Sequence, residues 1–155
     1  MTIRRAIPQD LEAINCLLMQ VLAVHHIGRP DLFMAGTKKY TDEELLAIIA
    51  DDIRPIFVAE EAGQVQGYAF CIFQQYVNNN ILTDVKTLYI DDLCVEETCR
   101  GKHIGSALYR HVLAFAKEQG CYNVTLNVWA CNEEAMRFYQ NMGLVPQKIG
   151  MEQIL

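Results

Sequence analysis

The chain has 155 residues, of which 52% are hydrophobic and 21% are charged, and its formal net charge at pH 7 is −6. This length and composition are typical of one soluble globular domain spanning residues 1–155. The acidic balance argues against a nucleic-acid-binding protein, which normally carries a basic face.

The cysteines and the hydropathy of the chain indicate the cellular compartment in which the protein is expected. None of the six cysteines has the C-x-x-C spacing of a zinc or thioredoxin-like site. No signal peptide precedes the first predicted strand, and no apolar run reaches the roughly 18 residues of a membrane span. We therefore expect free thiols, a cytoplasmic location and no membrane partner.

The first part of the chain is predicted to be a short strand followed by two helices. The strand covers residues 2–6, and Pro8-Gln9-Asp10 starts a helix with apolar residues on one face. The segment His25–Phe33 is interpreted as a connecting loop because Gly and Pro interrupt it. Its adjacent histidines leave a metal site or a substrate-facing loop as alternatives. Thr41 and Glu44 form a capping box that predicts the second helix.

The remaining elements alternate between strands and helices. A hairpin is predicted from strands over Ile56–Glu60 and Val65–Phe73, and the loop Gln75–Thr83 leads to a long strand over Val85–Val95. The elements predicted after that strand are a helix ending at Gly120, a strand over Tyr122–Val128, a helix from Glu133 to Gly143 with Asn132 as its N-cap, and a last strand over Leu144–Leu155.

This order, β-α-α-β-β-β-α-β-α-β, predicts an α/β fold with a mixed sheet and helices on both faces. The long strand meets a helix N-terminus near the centre of that sheet, where such folds place ligands.

The segment at this junction holds Arg100, Gly101, Lys102 and Gly105. The first N–H groups of a helix lack internal partners, and glycine lets backbone approach phosphate oxygens closely. The segment is therefore a candidate pyrophosphate site. Its spacing matches neither the dinucleotide fingerprint nor the P-loop, so an ordinary turn with solvated charges is the alternative.

Two motifs together carry a resemblance to a known family. The run Arg100-Gly101-Lys102-His103-Ile104-Gly105-Ser106 resembles the acyl-CoA pyrophosphate loop of GNAT-superfamily N-acetyltransferases, usually R/Q-x-x-G-x-G/A. The segment Leu126–Leu144 is similar to the superfamily's second signature. One position departs from the pattern, because His103 stands where the first glycine belongs. A positive φ at this position would strain a histidine.

The resemblance implies a GNAT-type acyl-CoA N-acyltransferase fold, with a mixed, mostly antiparallel sheet splayed at the fourth strand. It also implies that acetyl-CoA lies along Leu93–Val95 and that the Leu93 N–H contacts the thioester carbonyl. The residues so implied in acetyl-CoA binding are Leu93, Cys94, Val95, Arg100, Gly101, Lys102, His103, Ile104, Gly105, Ser106, Asn132 and Tyr139.

The same resemblance implies two catalytic residues. Tyr139 is similar to the tyrosine that protonates the departing CoA thiolate, and a core aromatic is the alternative. The run Ile90–Val95 resembles the strand of diamine acetyltransferases of the spermidine/spermine type, in which a glutamate fills the position of Asp91. Asp91 is therefore the first choice for the base, directly or through water, with Asp92 and Glu60 as alternatives. Adjacent strand residues point to opposite faces, so we expect only one of the two aspartates to reach the substrate unless a bulge intervenes.

The function implied is acetyl transfer from acetyl-CoA to a primary amine by direct attack in a ternary complex, without a metal. An acyl-cysteine route through Cys94 or Cys131 is disfavoured because no motif places a base beside either thiol. A protein N-terminus or lysine as acceptor, and a non-catalytic CoA-binding module, remain alternatives. We expect the acceptor pocket to be shaped by His25–Tyr40 and Gln75–Thr83, and a homodimer is a habit of the superfamily.

Overall fold

The computed structural model describes residues 1–155, which form one five-stranded sheet with helices on both faces. The strands are β1 Thr2–Arg5, β2 Ile56–Glu61, β3 Gln64–Gln74, β4 Thr87–Val95 and β5 Asn123–Leu126. The helices are α1 Leu11–Gly28, α2 Asp42–Ile49, α3 Ile104–Glu118 and α4 Glu133–Asn141. Strands lie side by side in chain order, antiparallel from β1 to β4 and parallel between β4 and β5. The predicted α/β fold with a mixed, mostly antiparallel sheet is confirmed.

Alternation along β2 divides the apolar core into two layers. Ile56 and Val58 face the layer built by α1 and α2, whereas Phe57 and Ala59 face the layer built by α3. All four side chains are buried. The sheet is therefore covered on both faces.

Several local signals formed as predicted. Thr41 Oγ1 accepts from the Glu44 N–H at 3.1 Å, and the Glu44 carboxylate accepts from the Thr41 N–H at 2.8 Å, which completes the capping box of α2. The hairpin turn has positive φ at Ala62 and Gly63, 51° and 77°. Positive φ at both central residues is the backbone of the turn that best fits the twist of two-residue hairpins.

The first helix is longer than predicted. It continues through His25 and His26 to Gly28, so the loop prediction was wrong for these residues. The His26 Nδ1 donates to the Phe33 carbonyl at 2.7 Å, which ties the segment after α1 back onto the helix. By length and hydropathy alone, Pro8–Gly28 passes as a membrane span, with mean hydropathy 1.3. Its buried residues pack in the α1–α2 layer.

The strand predicted over Leu144–Leu155 is not formed. Residues 144–155 have no regular secondary structure, and every side chain from Val145 onward is exposed. Pro146 has no N–H to give to a sheet, and β5 is short, so the segment finds no pairing partner within its own chain.

Two irregularities in β4 shape the centre of the sheet. Phe70 of β3 pairs with Asp92 and the next residue, Cys71, pairs with Ile90, so Asp91 is the extra residue of a β-bulge. Pairing with β5 ends at Ile90 opposite Leu126. The second half of β4 therefore leaves the sheet open on the β5 side.

Candidate functional site

A cluster of free backbone N–H groups follows β4. Positive φ at Gly101 (79°) and His103 (62°) turns the chain into the first turn of α3. No loop or side-chain hydrogen bond occupies the N–H groups of residues 101–106. These groups lie at the positive end of the α3 dipole, an arrangement that attracts an anion.

The side chains around these amides are open to solvent. Arg100, Lys102 and His103 are exposed, which leaves the arginine and the lysine of the segment available to an anion. Ser106 is engaged instead, because its hydroxyl donates to the His103 carbonyl at 3.0 Å. Ile104 is buried and anchors the turn in the core.

Backbone direction in β4 decides which groups face the opening. The Glu96 N–H donates to the Gln66 carbonyl of β3 at 2.8 Å, so alternate residues toward Asp92 also direct their backbone groups to β3. Leu93 and Val95 consequently direct theirs to the side where β5 has ended. The backbone groups of Cys94 point to β3, and its thiol is buried. Burial, with a smaller effect of the charge of Asp92, raises the pKa of that thiol to about 12.

The bulge brings the two aspartates together. Lys39 Nζ lies 3.0 Å from the Asp91 carboxylate, and the charge of Asp92 also acts on Lys39. Both carboxylates therefore lie on the side of Lys39, and the bulge is the exception that the sequence analysis allowed. The alternation rule fails here because the bulge inserts one residue between the two paired positions.

Asp92 is the more enclosed of the pair. It accepts a hydrogen bond from the Tyr68 hydroxyl at 2.8 Å. Desolvation by burial raises the pKa of Asp92, and the opposing effects of Lys39 and Tyr68 are too small to cancel it. Asp92 thus holds a proton more readily than an exposed aspartate does.

Tyr139 of α4 approaches the same place. Burial raises the pKa of the Tyr139 phenol. The negative charge of Asp92 adds to this shift, with smaller effects of Tyr109 and Cys94. The phenol is therefore close enough to Asp92 to feel its charge, and it stays protonated at neutral pH. Glu60, by contrast, pairs with Arg4 at 2.7 Å on the far side of β3 and is not brought to the opening.

A cavity of about 170 Å³ adjoins this site between the end of α1 and the segment before α4. Its aromatic wall is Phe33 and Trp129, with ring centroids 5.4 Å apart, and the tilted ring of His25 lies 4.9 Å from that of Phe33. Burial lowers the pKa of His25, and the charge of Asp92 acts against that shift, so His25 connects the cavity electrostatically with the carboxylates. Asn132 also lines the cavity, and its side chain caps α4 by accepting from the Ala135 N–H at 3.1 Å.

Sequence reasoning missed part of this cavity. Residues of the segment His25–Tyr40 line this cavity, whereas no residue of Gln75–Thr83 does. Trp129, the only tryptophan of the chain, was not among the residues predicted to shape a pocket. Its position just after a predicted strand end was the available signal, because loops at strand ends carry binding residues.

Comparisons with known proteins show to which family the chain is similar. A family model described as the acetyltransferase (GNAT) family matches residues 21–144. Glucosamine 6-phosphate N-acetyltransferase 1 of Oryza sativa is 28% identical over 111 residues, which are 70% of this chain and 62% of the rice protein. Streptothricin acetyltransferase of Streptomyces lavendulae is 36% identical over 88 residues, 56% of this chain and 42% of that protein. The chain thus spans less than two thirds of the length of these curated relatives.

Solved structures match over the whole chain. A mutant of the BH1408 protein from Bacillus halodurans has a TM-score of 0.95 at 29% identity, with 100% of this chain and 99% of that chain covered. An aminoglycoside N-acetyltransferase in complex with CoA has a TM-score of 0.71 at 17% identity, covering 99% of this chain and 98% of that one, and shows likeness of fold alone.

Proposed function

The chain belongs to the GNAT acetyltransferase family, and from this premise we propose that it transfers an acetyl group from acetyl-CoA to a primary amine by direct attack in a ternary complex. The observation that supports the proposal is the meeting of three features at one end of β4. These are the free amides of residues 101–106, the open backbone edge at Leu93 and Val95, and the Tyr139 phenol beside Asp92.

The residues present suit the parts of acetyl-CoA. The amides of residues 101–106, with Arg100 and Lys102, offer N–H donors and positive charge to a pyrophosphate. Leu93 and Val95 offer the unpaired donors and acceptors that the amides of a pantetheine arm require. Asn132 keeps its side-chain N–H groups free for such an arm, because its oxygen caps α4.

The reaction needs an acid, a base and a donor for the developing oxyanion. The Leu93 N–H faces the opening and would stabilise negative charge on the thioester oxygen. The Asp91–Asp92 pair would take the proton of the attacking ammonium, directly or through water. Tyr139, protonated at neutral pH, would donate a proton to the departing thiolate, whose acid has a pKa of about 8.5.

Thiol release tests the proposal. Purified protein with acetyl-CoA and a panel of polyamines, amino acids, aminoglycosides and peptides is expected to release CoA with at least one amine. Tyr139→Phe removes only the hydroxyl, so kcat should fall by about 10²-fold or more while CoA affinity by calorimetry stays close to wild type. Tight CoA binding without turnover on any amine would instead favour the non-catalytic binding module. Turnover on peptides alone would favour a protein acceptor.

We also propose that two copies associate through the C-terminal segment, in the cytoplasm. The support is that Val145, Ile149 and Met151 are 78–89% exposed and fall on one face of an extended chain. The outer edge of β5 has no neighbouring strand, and an unpaired edge invites a strand from another copy. The location in the cytoplasm is supported by the six cysteines, which are all unpaired, as is usual in a reducing compartment.

Sedimentation equilibrium tests the association. The 17.6 kDa chain is expected to sediment at twice its mass, and Ile149→Lys should shift it to the monomer. Ile81→Lys is the matched control, because Ile81 is 89% exposed but lies outside the C-terminal segment. A monomeric wild type, or a dimer that tolerates Ile149→Lys as well as Ile81→Lys, contradicts the proposal.

A further inference from the structure

Lys39 occupies an unusual position relative to the carboxylate pair. It is the only lysine or arginine that forms a salt bridge with either Asp91 or Asp92, with Nζ 3.0 Å from Asp91 Oδ2. The same Asp92 carboxylate acts on Lys39 and on the Tyr139 phenol. A primary ammonium of the chain itself therefore lies against the carboxylates assigned above to the base.

The surroundings of Lys39 hold its ammonium in place on an irregular segment. Residues 29–41, between α1 and α2, form turns and bends with no helix or strand. The Lys39 ammonium lies 5.4 Å from the centre of the Tyr40 ring, and that ring stacks on Phe70 of β3 at 6.1 Å. The aromatic contact keeps the ammonium near the sheet opening, and the irregular backbone allows the short movement that an attack would require.

We propose that the Lys39 ε-amino group is itself an acetyl acceptor, so that the protein acetylates its own Lys39 when no other amine is bound. This inference rests on the proposed function. It makes the ammonium of Lys39 an internal stand-in for the ammonium of the acceptor, whose place lies against Asp91 and Asp92.

The chemistry balances with acetyl-CoA as the only co-reactant. The Asp91–Asp92 pair takes one proton from the Lys39 ammonium, and the freed nitrogen pair forms the new C–N bond with the acetyl carbonyl carbon. The C–S bond breaks, its electron pair leaves on sulfur, and Tyr139 protonates that sulfur. The proton on the carboxylates and the second proton of the nitrogen restore Tyr139 and leave to solvent, so the products are acetyl-lysine, CoA thiol and one proton.

Acetylation would also change the site. An acetylated Lys39 is neutral, and its salt bridge with Asp91 is lost. The carboxylate pair would then be free to receive the ammonium of an external acceptor without competition.

The neighbouring lysine provides a control within the chain. Lys38 pairs with Asp42 at 3.2 Å, away from the carboxylate pair, and its side chain is 54% exposed against 39% for Lys39. Spontaneous chemical acetylation favours the more exposed amine, so it would label Lys38 at least as fast as Lys39. Acetylation directed by the site would label Lys39 instead.

Peptide mass spectrometry after incubation of the full chain with acetyl-CoA, without any added amine, tests the inference. Lys39 should gain an acetyl group about tenfold faster than Lys38, and Tyr139→Phe should slow Lys39 labelling by about tenfold or more with no change at Lys38. The first-order rate constant should be unchanged on dilution of the protein, since the donor and acceptor groups belong to one molecule.

Three results overturn the inference. They are equal labelling of the two lysines, a rate constant that falls in proportion to protein concentration, and an unlabelled Lys39 in protein that turns over an external amine. The last result leaves the proposed function standing. Absence of both labelling and turnover on every amine overturns the two proposals together.

Discussion

The left-handed backbone at His103 supports a quantitative prediction about stability. His103 has φ 62° and ψ 16°, is exposed, and makes no capping hydrogen bond with its side chain. An L residue pays about 1–2 kcal/mol for this conformation, whereas glycine adopts it freely. Glycine gains about 0.5–1 kcal/mol of extra freedom in the unfolded chain, which offsets part of the relief.

The comparison between His103→Gly and His103→Ala isolates the backbone effect, because both variants lose the same exposed imidazole. His103→Gly should have the higher free energy of unfolding by about 0.5–1 kcal/mol, or roughly 2 °C in melting temperature for a chain of this size. Urea titration followed by circular dichroism measures the difference.

Lys102 is a control position, at which alanine rather than glycine is expected to give the more stable variant. It is equally exposed but does not have a positive φ. Lys102→Gly should therefore be less stable than Lys102→Ala by about 0.5–1 kcal/mol. If alanine is as stable as glycine at position 103, or if both positions favour the same residue, the strain assigned to His103 is absent.

Three other changes test the fold. Ala62→Asn should raise the free energy of unfolding by about 0.5 kcal/mol, because asparagine tolerates positive φ better than alanine does; a destabilised variant in urea titration would contradict this. Leu108→Ala should cost about 2–5 kcal/mol, because Leu108 is fully buried in the α3 layer, and a loss under 1 kcal/mol would show that the layer is loosely packed. Burial tends to raise the pKa of Asp10, but hydrogen bonds from Arg4 and the Ile7 N–H outweigh it and lower that pKa below 3.8. The ionised form therefore adds stability above about pH 4 that is lost as the pH falls through the lowered pKa, so Asp10→Asn should flatten the decline of stability in acid. A wild-type slope retained by Asp10→Asn between pH 4 and pH 2 would contradict the assignment.

Structural features that depend on a few neighbouring residues could be predicted from the sequence. The capping box at Thr41 and Glu44 and the hairpin turn at Ala62-Gly63 use short-range hydrogen bonds and backbone preferences. The glycine-bearing turn into α3 is equally local, and the family resemblance rests on it. Such signals survive without knowledge of the rest of the chain because each is satisfied within about four residues.

The end of α1 and the C-terminal segment show where local reading is insufficient. Glycine at position 28 suggested a break, yet the helix runs to that residue and packs against Cys131, whose sulfur is 2.9 Å from the place a Cβ at Gly28 would take. A strand was predicted over Leu144–Leu155, yet a strand needs a partner edge, and no edge of the same chain pairs with it.

Local sequence thus accounted for the order of the elements as far as α4, the anion-attracting turn after β4 and the presence of a phenol and carboxylates in the same half of the chain. Long-range packing decided which of these groups meet. The bulge opposite Phe70 turns Asp91 and Asp92 to one face, and α4 carries Tyr139 to Asp92 across more than 40 residues of chain. The register between two strands is set by the pairing and burial of residues about 20 positions apart. A short stretch of sequence therefore could not predict this register.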